Sequence, residues 1–470
     1  MYRFPIEQVR DDRFLTDLIT KFKENDIPRF QKLQEYYKVQ TEVLQRVMDP
    51  GKPNNKLAHG FARYIANMAT SYFVGKPIKY QVPDETVQVE DPGEDGEKER
   101  ILDNSEYEDI LNKELKGNYI DKLNYDVAKE CSKKGIGHYL LFLDEEGKLR
   151  IKKCDAESII PVYSPKLGEF LECAVRLWED RKLDGTLIAE YAAVYDKEYI
   201  RYYRRRSACG LYRYYMRERH MMSDIPVIIN WNNEEQMGDY EPVMPLIDAY
   251  DRAQSDTGND MDYFSDAYLC IAGASELVYG AGLDDDENAR SASATLRREK
   301  VLYLDEKGQA EWLTKNINDT ATENYKDRIY NDLFFLAQVP ALSDESFAGN
   351  LTGVAIKYKL VGLEELAIMK QNAMDASQKK LVSLVTDYIN LKYNKNFDPG
   401  KVVFKYERNL ITNDTELIDN AAKLENITSH ETQLSVLPSS IVQNAKDELD
   451  RIQQEMAEAE GIPIIKEEEI

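Results

Sequence analysis

The stretch Ser343–Leu360, SDESFAGNLTGVAIKYKL, decides how the chain divides. It is built of small residues, is weakly charged and carries Gly349 and Gly353. Helical spacing ends at Pro340 before it and resumes after it. A connection between two helices usually needs about two to five residues, and a longer one inside a compact region is a functional loop or a disordered one.

The flanks set the architecture. Upstream, Glu323–Gln338 repeats apolar residues at Tyr325, Ile329, Leu333 and Leu336, the period of a helix face. Before it, residues 269–318 read as a short mixed α/β unit closing in a hairpin, VLYLDEKGQAEWLT, that turns at Lys307-Gly308. Earlier still, DYEPVMPLIDAYDRAQSDTGNDMDYFSDAYL is helical. Pro242 sits in its first turn, where a missing N–H costs nothing, and Val243, Leu246, Ile247 and Tyr250 share a face. Two helices around a small insert form an out-and-back stalk with a tip. Downstream of the opening stretch a helix of about 35 residues runs to Asn390. The strand KVVFKYERN follows, then a helical segment, Asp414–Glu460, with Ile441, Ala445, Leu449, Ile452 and Met456 in one stripe.

The first half is α/β. Residues 12–48 read as a helix through Leu15, Leu18, Ile19 and Phe22, and PGKPNN breaks it. KLAHGFARYIANMATSYFVG is a second helix, ending at Gly75 before Pro77. Residues 84–109 hold twelve acids against Lys98 and Arg100, which predicts a solvated loop or disordered insert. Residues 136–230 read mostly as strands, with one hairpin turning at Glu146-Gly147 and another near Ser207–Gly210.

Composition narrows the function. The 470 residues carry 61 Lys plus Arg against 85 Asp plus Glu, a formal charge of −24. Duplex binding driven by counterion release shows the opposite sign, so any nucleic-acid role is local or avoids tight binding. Five dispersed cysteines without a C-x-x-C predict a reduced, cytosolic chain with neither disulfides nor zinc. The N-terminus has no apolar signal-like run, and no segment reaches the roughly 18 apolar residues of a membrane span. Tyrosine, at 31 residues, suits surfaces with an apolar body and a wet tip, such as subunit interfaces.

Catalytic patterns are thin. Gly75-Lys76 is followed by Pro77 where a phosphate-binding loop needs a hydroxyl. Asp126, Glu146 and Lys148 have the spacing of a metal-dependent nuclease, but Glu146 and Lys148 fall at a hairpin tip, where charged turn residues are ordinary. Asp284–Asn288 could hold a cation, yet Ala289 stands where a calcium loop wants glycine. His59, His138, His220 and His430 are scattered. Arg201, Arg204, Arg205, Arg206, Arg213, Arg217 and Arg219 interleave with Tyr202, Tyr203, Tyr212, Tyr214 and Tyr215. That mixture fits a nucleic-acid groove, or a hairpin whose arginines pair with acids of a neighbouring subunit. Gly349, Asn350, Thr352 and Gly353 could form an anion nest, but no lysine lies within the loop. No cofactor or metal is expected.

Three ordered motifs resemble the portal proteins of long-tailed double-stranded DNA bacteriophages. They are NNKLAHGFARYIANMATSYFVGKPIKY, IPVIINWNNEEQMGDYEPVMPLIDAYDRAQSD and ESFAGNLTGVAIKYKLVGLE; ITSHETQLSVLP is similar to the start of the family's C-terminal region. The resemblance implies an α+β multi-region portal fold: an α/β wing (1–240), a two-helix stem (241–264 and 320–339), a small α/β clip (265–319), a tunnel loop (340–353), a long wing helix and strand (354–412), and a C-terminal helical crown (413–470). It implies no enzyme but a ring of typically twelve subunits at the capsid vertex of the virion, assembled in the bacterial host cytoplasm. Double-stranded DNA passes through the ring. The partners implied are the terminase large subunit, head-completion and connector proteins, and major capsid and scaffolding proteins; no membrane is involved. Ser343, Asp344, Glu345, Ser346, Phe347, Ala348, Gly349, Asn350, Leu351, Thr352 and Gly353 become the loop facing DNA. In it Asp344 and Glu345 repel phosphate, Phe347 packs the loop base or brushes DNA, and Leu351 is at the tip. Tyr325, Ile329 and Leu333, with Leu246 and Tyr250, become packing positions between stems. The competing readings are the nuclease and a monomeric acidic adaptor.

Overall fold

The computed structural model describes residues 1–49, 52–90, 97–168, 170–206, 210–264, 268–272, 301–304, 311–313, 319–342, 356, 358–409, 414–437, 441–442 and 445–459. The stretch Ser343–Gly353, the Lys307-Gly308 turn and Asp284–Asn288 lie outside the described residues. The chain divides into two units, residues 1–341 with 362–408, and residues 342–361 with 409–470.

In chain order the first unit holds β1 (Tyr2–Arg3), α1 (Ile6–Val9), α2 (Asp12–Tyr37), α3 (Phe61–Val74), β2 (Lys79–Gln81), β3 (Glu85–Glu90), β4 (Glu97–Leu102), α4 (Ser105–Gly117) and α5 (Ile120–Lys134). Strands follow: β5 (Ile136–Leu143), β6 (Leu149–Cys154), β7 (Ile159–Tyr163), β8 (Leu171–Arg181), β9 (Leu187–Tyr195), β10 (Tyr199–Arg205), β11 (Arg213–Arg219) and β12 (Val227–Trp231). Then come α6 (Met244–Phe264), β13 (Tyr268–Ala272), β14 (Val301–Leu304), β15 (Glu311–Leu313), α7 (Asp319–Leu336), the long helix α8 (Val361–Tyr393) and β16 (Val403–Lys405). None of the helices among the described residues is long and apolar enough to cross a membrane.

Helix α2 begins where the Asp11 carboxylate accepts from the N–H groups of Arg13 and Phe14, at 3.0 and 2.9 Å. It ends earlier than its periodicity suggests. Val39 turns to a φ of 64°, a conformation no helix continues, and only a short 3₁₀ turn, Glu42–Gln45, follows. Similarly, Lys56–Gly60 is not helical and α3 starts at Phe61.

Among the described residues the main sheet has the order β1-β7-β8-β9-β10-β11, and a second has the order β12-β5-β6. Strand alternation buries both faces of the main sheet. On one face Val162, Val175, Ala192, Val194 and Tyr203 meet Leu15, Leu18, Ile19 and Phe22 of α2. On the other, Ile159, Ala174, Ala193, Tyr195 and Ile200 meet Leu140 and Val227 of the second sheet and Ile225 just before it. The Glu146-Gly147 turn forms as the sequence indicates, Gly147 taking a φ of 73°.

Two expectations are corrected. The acidic segment 84–109 contains an antiparallel pair, β3 with β4, followed by α4. Its β-branched residues alternate at Val87 and Val89, which the charge count masks. The hairpin 301–314 does not close on itself. Val301–Leu304 runs parallel to Tyr268–Ala272 and Glu311–Leu313 runs antiparallel to its other edge, giving the order β14-β13-β15. A central strand gives both flanking strands a ladder where a hairpin gives them one. The helices α4 and α5 have amphipathic spacing that the strand reading of the neighbouring residues passes over.

The second unit contains α9 (Asp414–Lys423), α10 (His430–Val436) and α11 (Ala445–Ala459). Ser429 caps α10, its hydroxyl accepting from the Thr432 N–H at 3.3 Å. Leu449, Ile452 and Met456 of the expected stripe fall on α11, while Ile441 precedes it.

His138 on β5 is fully buried, both ring nitrogens lack a hydrogen-bond partner among the described residues, and burial pushes its pKa down to about 3. The unfolded chain takes up this proton near pH 6.5 and the folded chain does not, so stability rises with pH across that interval. Between pH 6 and 5 the chain is expected to lose about 1 kcal/mol of unfolding free energy through this ring. Urea unfolding of His138→Leu should show a shallower slope there; an unchanged slope would remove His138 as the cause. His220, also lowered by burial, contributes in the same direction.

Candidate functional site: a joint at the root of the helix Met244–Phe264

The motif NNEEQMGDYEP, Asn232–Pro242, forms the loop from which α6 departs, and its polar residues knit it to three other elements. Asn232 Nδ2 donates to the Met237 carbonyl (2.9 Å) and to Asp239 Oδ1 (2.7 Å). Glu241 receives Arg29 of α2 through both guanidinium arms, each 2.7 Å, a bidentate pairing that fixes direction as well as distance. The Tyr240 hydroxyl donates to the Leu33 carbonyl at 2.7 Å. The loop sits directly on the end of α5: the Asp239 N–H donates to the Ser132 carbonyl (2.8 Å) and the Asn232 N–H to the Gly135 carbonyl (3.0 Å).

The long helix joins at Lys370. Its ammonium lies 2.8 Å from Asp239 Oδ1, donates to Ser132 Oγ at 2.8 Å, and also reaches Asn232 Oδ1. Both charged side chains are essentially out of solvent, at 5% and 0% exposure. Further along the same helix, the Ser377 hydroxyl donates to Asn230 Oδ1, and Gln378 Nε2 donates to Asn124 Oδ1. The buried face of α8 thus carries a polar seam, Lys370, Ser377 and Gln378, among apolar residues such as Met374, Leu381 and Val385, and its specific partners fix the register more narrowly than apolar packing alone would.

A strap, Asn55–His59 together with Thr41, is bound along α6 by polar side chains of that helix. Asp251 is fully buried and accepts from the Thr41 hydroxyl (2.6 Å) and the His59 N–H (3.0 Å), with His59 Nδ1 at 2.7 Å. Ser255 Oγ accepts from the Leu57 N–H at 2.9 Å, and Asn259 Oδ1 accepts from the Asn55 N–H at 2.7 Å. Asn55 Nδ2 donates to Asp262 at 2.6 Å. Tyr36 donates to Asp248, and burial with that carboxylate raises the phenol's pKa well above the usual range. Rings close the joint. Tyr250 lies edge-on to His59 (5.0 Å) and Phe61 (5.1 Å), and Phe334 of α7 packs on Tyr330 (4.8 Å), Tyr64 (5.6 Å) and Phe61 (5.9 Å).

Of the stem positions singled out in the sequence, Leu246 and Tyr250 are half-buried in this joint. Ile329 and Leu333, at 6% and 0% exposure, are covered by their own chain, which leaves little of either for a neighbour, whereas Tyr325 is 53% exposed. Asp126 lies on α5 paired with Lys122 at 2.5 Å, while Glu146 and Lys148 pair with each other at 2.6 Å on an exposed tip. The nuclease constellation is therefore not assembled. Among the described residues no group of three or more His, Cys, Asp or Glu side chains is placed to hold a metal. Lys370 and Asp251 carried no local signal. A lysine on an apolar helix and an aspartate in a polar stretch become special only when the partner more than a hundred residues away is known. What the joint offers is position: it aims α6 and ties it to α2, α5 and α8.

The family model for phage portal proteins of the SPP1 Gp6-like type matches residues 17–461. The portal protein of Bacillus phage SPP1 is 27% identical over 456 residues, covering 93% of this chain and 83% of that protein. The portal protein of Clostridium phage phiCD119 is 22% identical over 408 residues, covering 83% and 80%. A chain from the neck of an empty GTA particle aligns over 81% of this chain and 90% of its own length, with 11% identity and a TM-score of 0.39, too slight to fix fold or symmetry. The chain belongs to the SPP1 Gp6-like family of phage portal proteins. It is a bacteriophage portal protein, of the class that serves DNA packaging at the capsid vertex and connects head to tail.

Proposed function

We propose that this portal protein assembles as a closed ring, typically of twelve copies, through whose bore the genome is packaged by the terminase and later ejected. Head-completion proteins and the tail attach to the same ring. The observation that carries this is the family match across residues 17–461, nearly the entire chain. In this reading 1–240 with 354–412 form the wing, α6 and α7 the stem, 265–319 the clip, Ser343–Gly353 the tunnel loop and 413–470 the crown. The ring is a structural channel without enzymatic activity, and the terminase large subunit, connector, capsid and scaffolding proteins are its partners.

Charge supports a passage that does not grip. At −24 per copy a ring repels phosphate, so DNA slides while a motor elsewhere supplies the work. A loop with Gly349 and Gly353 shifts at little conformational cost. The joint at Asn232–Pro242 suits the same role, holding the stem at a set angle to the wing while DNA moves. Electron microscopy of the purified chain tests the ring: a closed annulus with an axial hole is expected, and a monodisperse monomer under assembly conditions tells against it. Gly349→Pro is expected to leave rings intact and to lower packaged DNA about tenfold or more in a packaging assay, since proline removes both φ freedom and an N–H. Normal packaging by that variant would contradict the loop assignment.

A further inference from the structure

We propose that the open end of the main sheet, where Arg176, Trp178, Tyr202, Arg204 and Tyr215 meet, is a docking surface for carboxylates of a neighbouring copy of this chain. This rests on the ring reading above and names one of its contact surfaces. The register places the surface on one face. Trp178 pairs with Tyr191 and Tyr191 with Arg204, and in the next row Arg176 pairs with Ala193, Ala193 with Tyr202 and Tyr202 with Met216. The second sheet covers this face around Ala174, Ala193, Tyr195 and Ile200, and Trp178 and Tyr202 pack partly buried against the edge of that cover. Beyond that cover Tyr215 and Met216 are 46% and 45% exposed.

The rings hold one another in place. Trp178 stacks on Tyr191 at 5.3 Å and 8°, and Tyr202 stands edge-on to Trp178 at 6.5 Å and tilts toward Tyr215 at 6.2 Å. Two guanidinium groups lie on this platform, Arg176 at 5.2 Å over Trp178 and Arg204 at 5.6 Å over Tyr215. Four other arginines of the hairpin are treated differently, while Arg217 lies over the Tyr199 ring at 5.1 Å. Arg201, Arg205, Arg213 and Arg219 each meet a carboxylate of their own chain, on Asp196, Glu190, Asp12 and Glu198. Among the described residues neither Arg176 nor Arg204 has a carboxylate within ion-pair distance. A guanidinium stacked on a ring keeps its planar N–H fork oriented and available for a bidentate carboxylate.

Charge identifies the occupant. With 24 excess acids, another copy of this chain is rich in carboxylates, and ring closure by rotation sets one patch on each copy against a different patch on the next. Trp, Tyr, Arg and Met are the residues that concentrate at the centre of protein interfaces. Strand addition at β11 is disfavoured. The Tyr214 N–H already donates to Asp12 (3.3 Å), and the pairing of β10 with β11 is irregular at Tyr202/Tyr203, features that blunt an edge.

The test is a photocrosslinking residue, p-benzoylphenylalanine, in place of Tyr215 in the full chain, irradiated in purified rings. A ladder of self-linked multiples on a denaturing gel is expected. Arg176→Glu with Arg204→Glu should raise the concentration for half-assembly about tenfold or more, the size of a modest hot spot, with circular dichroism confirming that the variant is folded. Rings that form in full while the probe stays unlinked, or links only to DNA or another protein in assembled particles, overturn the docking surface and leave the ring standing. A chain that never leaves the monomer removes both.

Discussion

Lys370→Met is expected to lower the unfolding free energy by about 3–5 kcal/mol, the usual cost of stripping one partner from a buried ion pair. Asp239 would keep its Asn232 amide (2.7 Å) but lose the ammonium at 2.8 Å. Its second oxygen has no hydrogen-bond partner among the described residues, so the carboxylate could not be compensated in place. Urea unfolding of the unassembled chain reads the effect as a lower midpoint with an unchanged slope. The companion variant, Lys370→Met with Asp239→Leu, is expected to regain more than half of the loss, because an apolar pair of similar volume often replaces a buried ion pair at little cost. A loss below about 1 kcal/mol for the single variant would show that water reaches the pair and that the seam on α8 does not hold that helix.

Gly135→Ala should have a comparable effect through sterics alone. Gly135 ends α5 with a φ of +82°, and a Cβ there would lie 2.1 Å from the Gln236 carbonyl oxygen and 2.6 Å from its carbon. The left-handed backbone costs alanine about 1–2 kcal/mol, and the loop must also be pushed off the helix end, at about 1–3 kcal/mol for an overpacked site. The total expected is about 2–5 kcal/mol by the same measurement. Gly147→Ala separates the two contributions. Its φ is +73° but nothing lies within 4 Å of the added Cβ, so it should cost only the backbone part, about 1 kcal/mol. Equal losses for the two variants would mean that the loop Asn232–Pro242 is not pressed against α5.

Much of this was legible before any coordinates. The apolar period of Leu15, Leu18, Ile19 and Phe22 places α2, the alternation through 136–230 yields strands, and Pro242 marks the root of α6, because these signals depend on neighbours within one or two turns. The motifs around Asn54, Asn232 and Phe347 carried the family. They read as a signature, however, and not as a mechanism. That Asn55 binds Asn259 and Asp262, or that Glu241 clamps Arg29, follows only from where residues more than two hundred positions apart are brought together.

Local periodicity by itself placed α2, α3, α6, α7, α8 and the strands of 136–230, and ordered motifs determined the family, since both are written in residues close along the chain. Only the tertiary structure decided that β14 and β15 flank β13 without pairing with each other, that Ile329 and Leu333 are already covered, and which arginines of β10 and β11 meet acids of their own chain. Each of these is a choice between partners of equal local propensity. Long-range geometry makes that choice by leaving a buried charge or a strand edge one place to be satisfied.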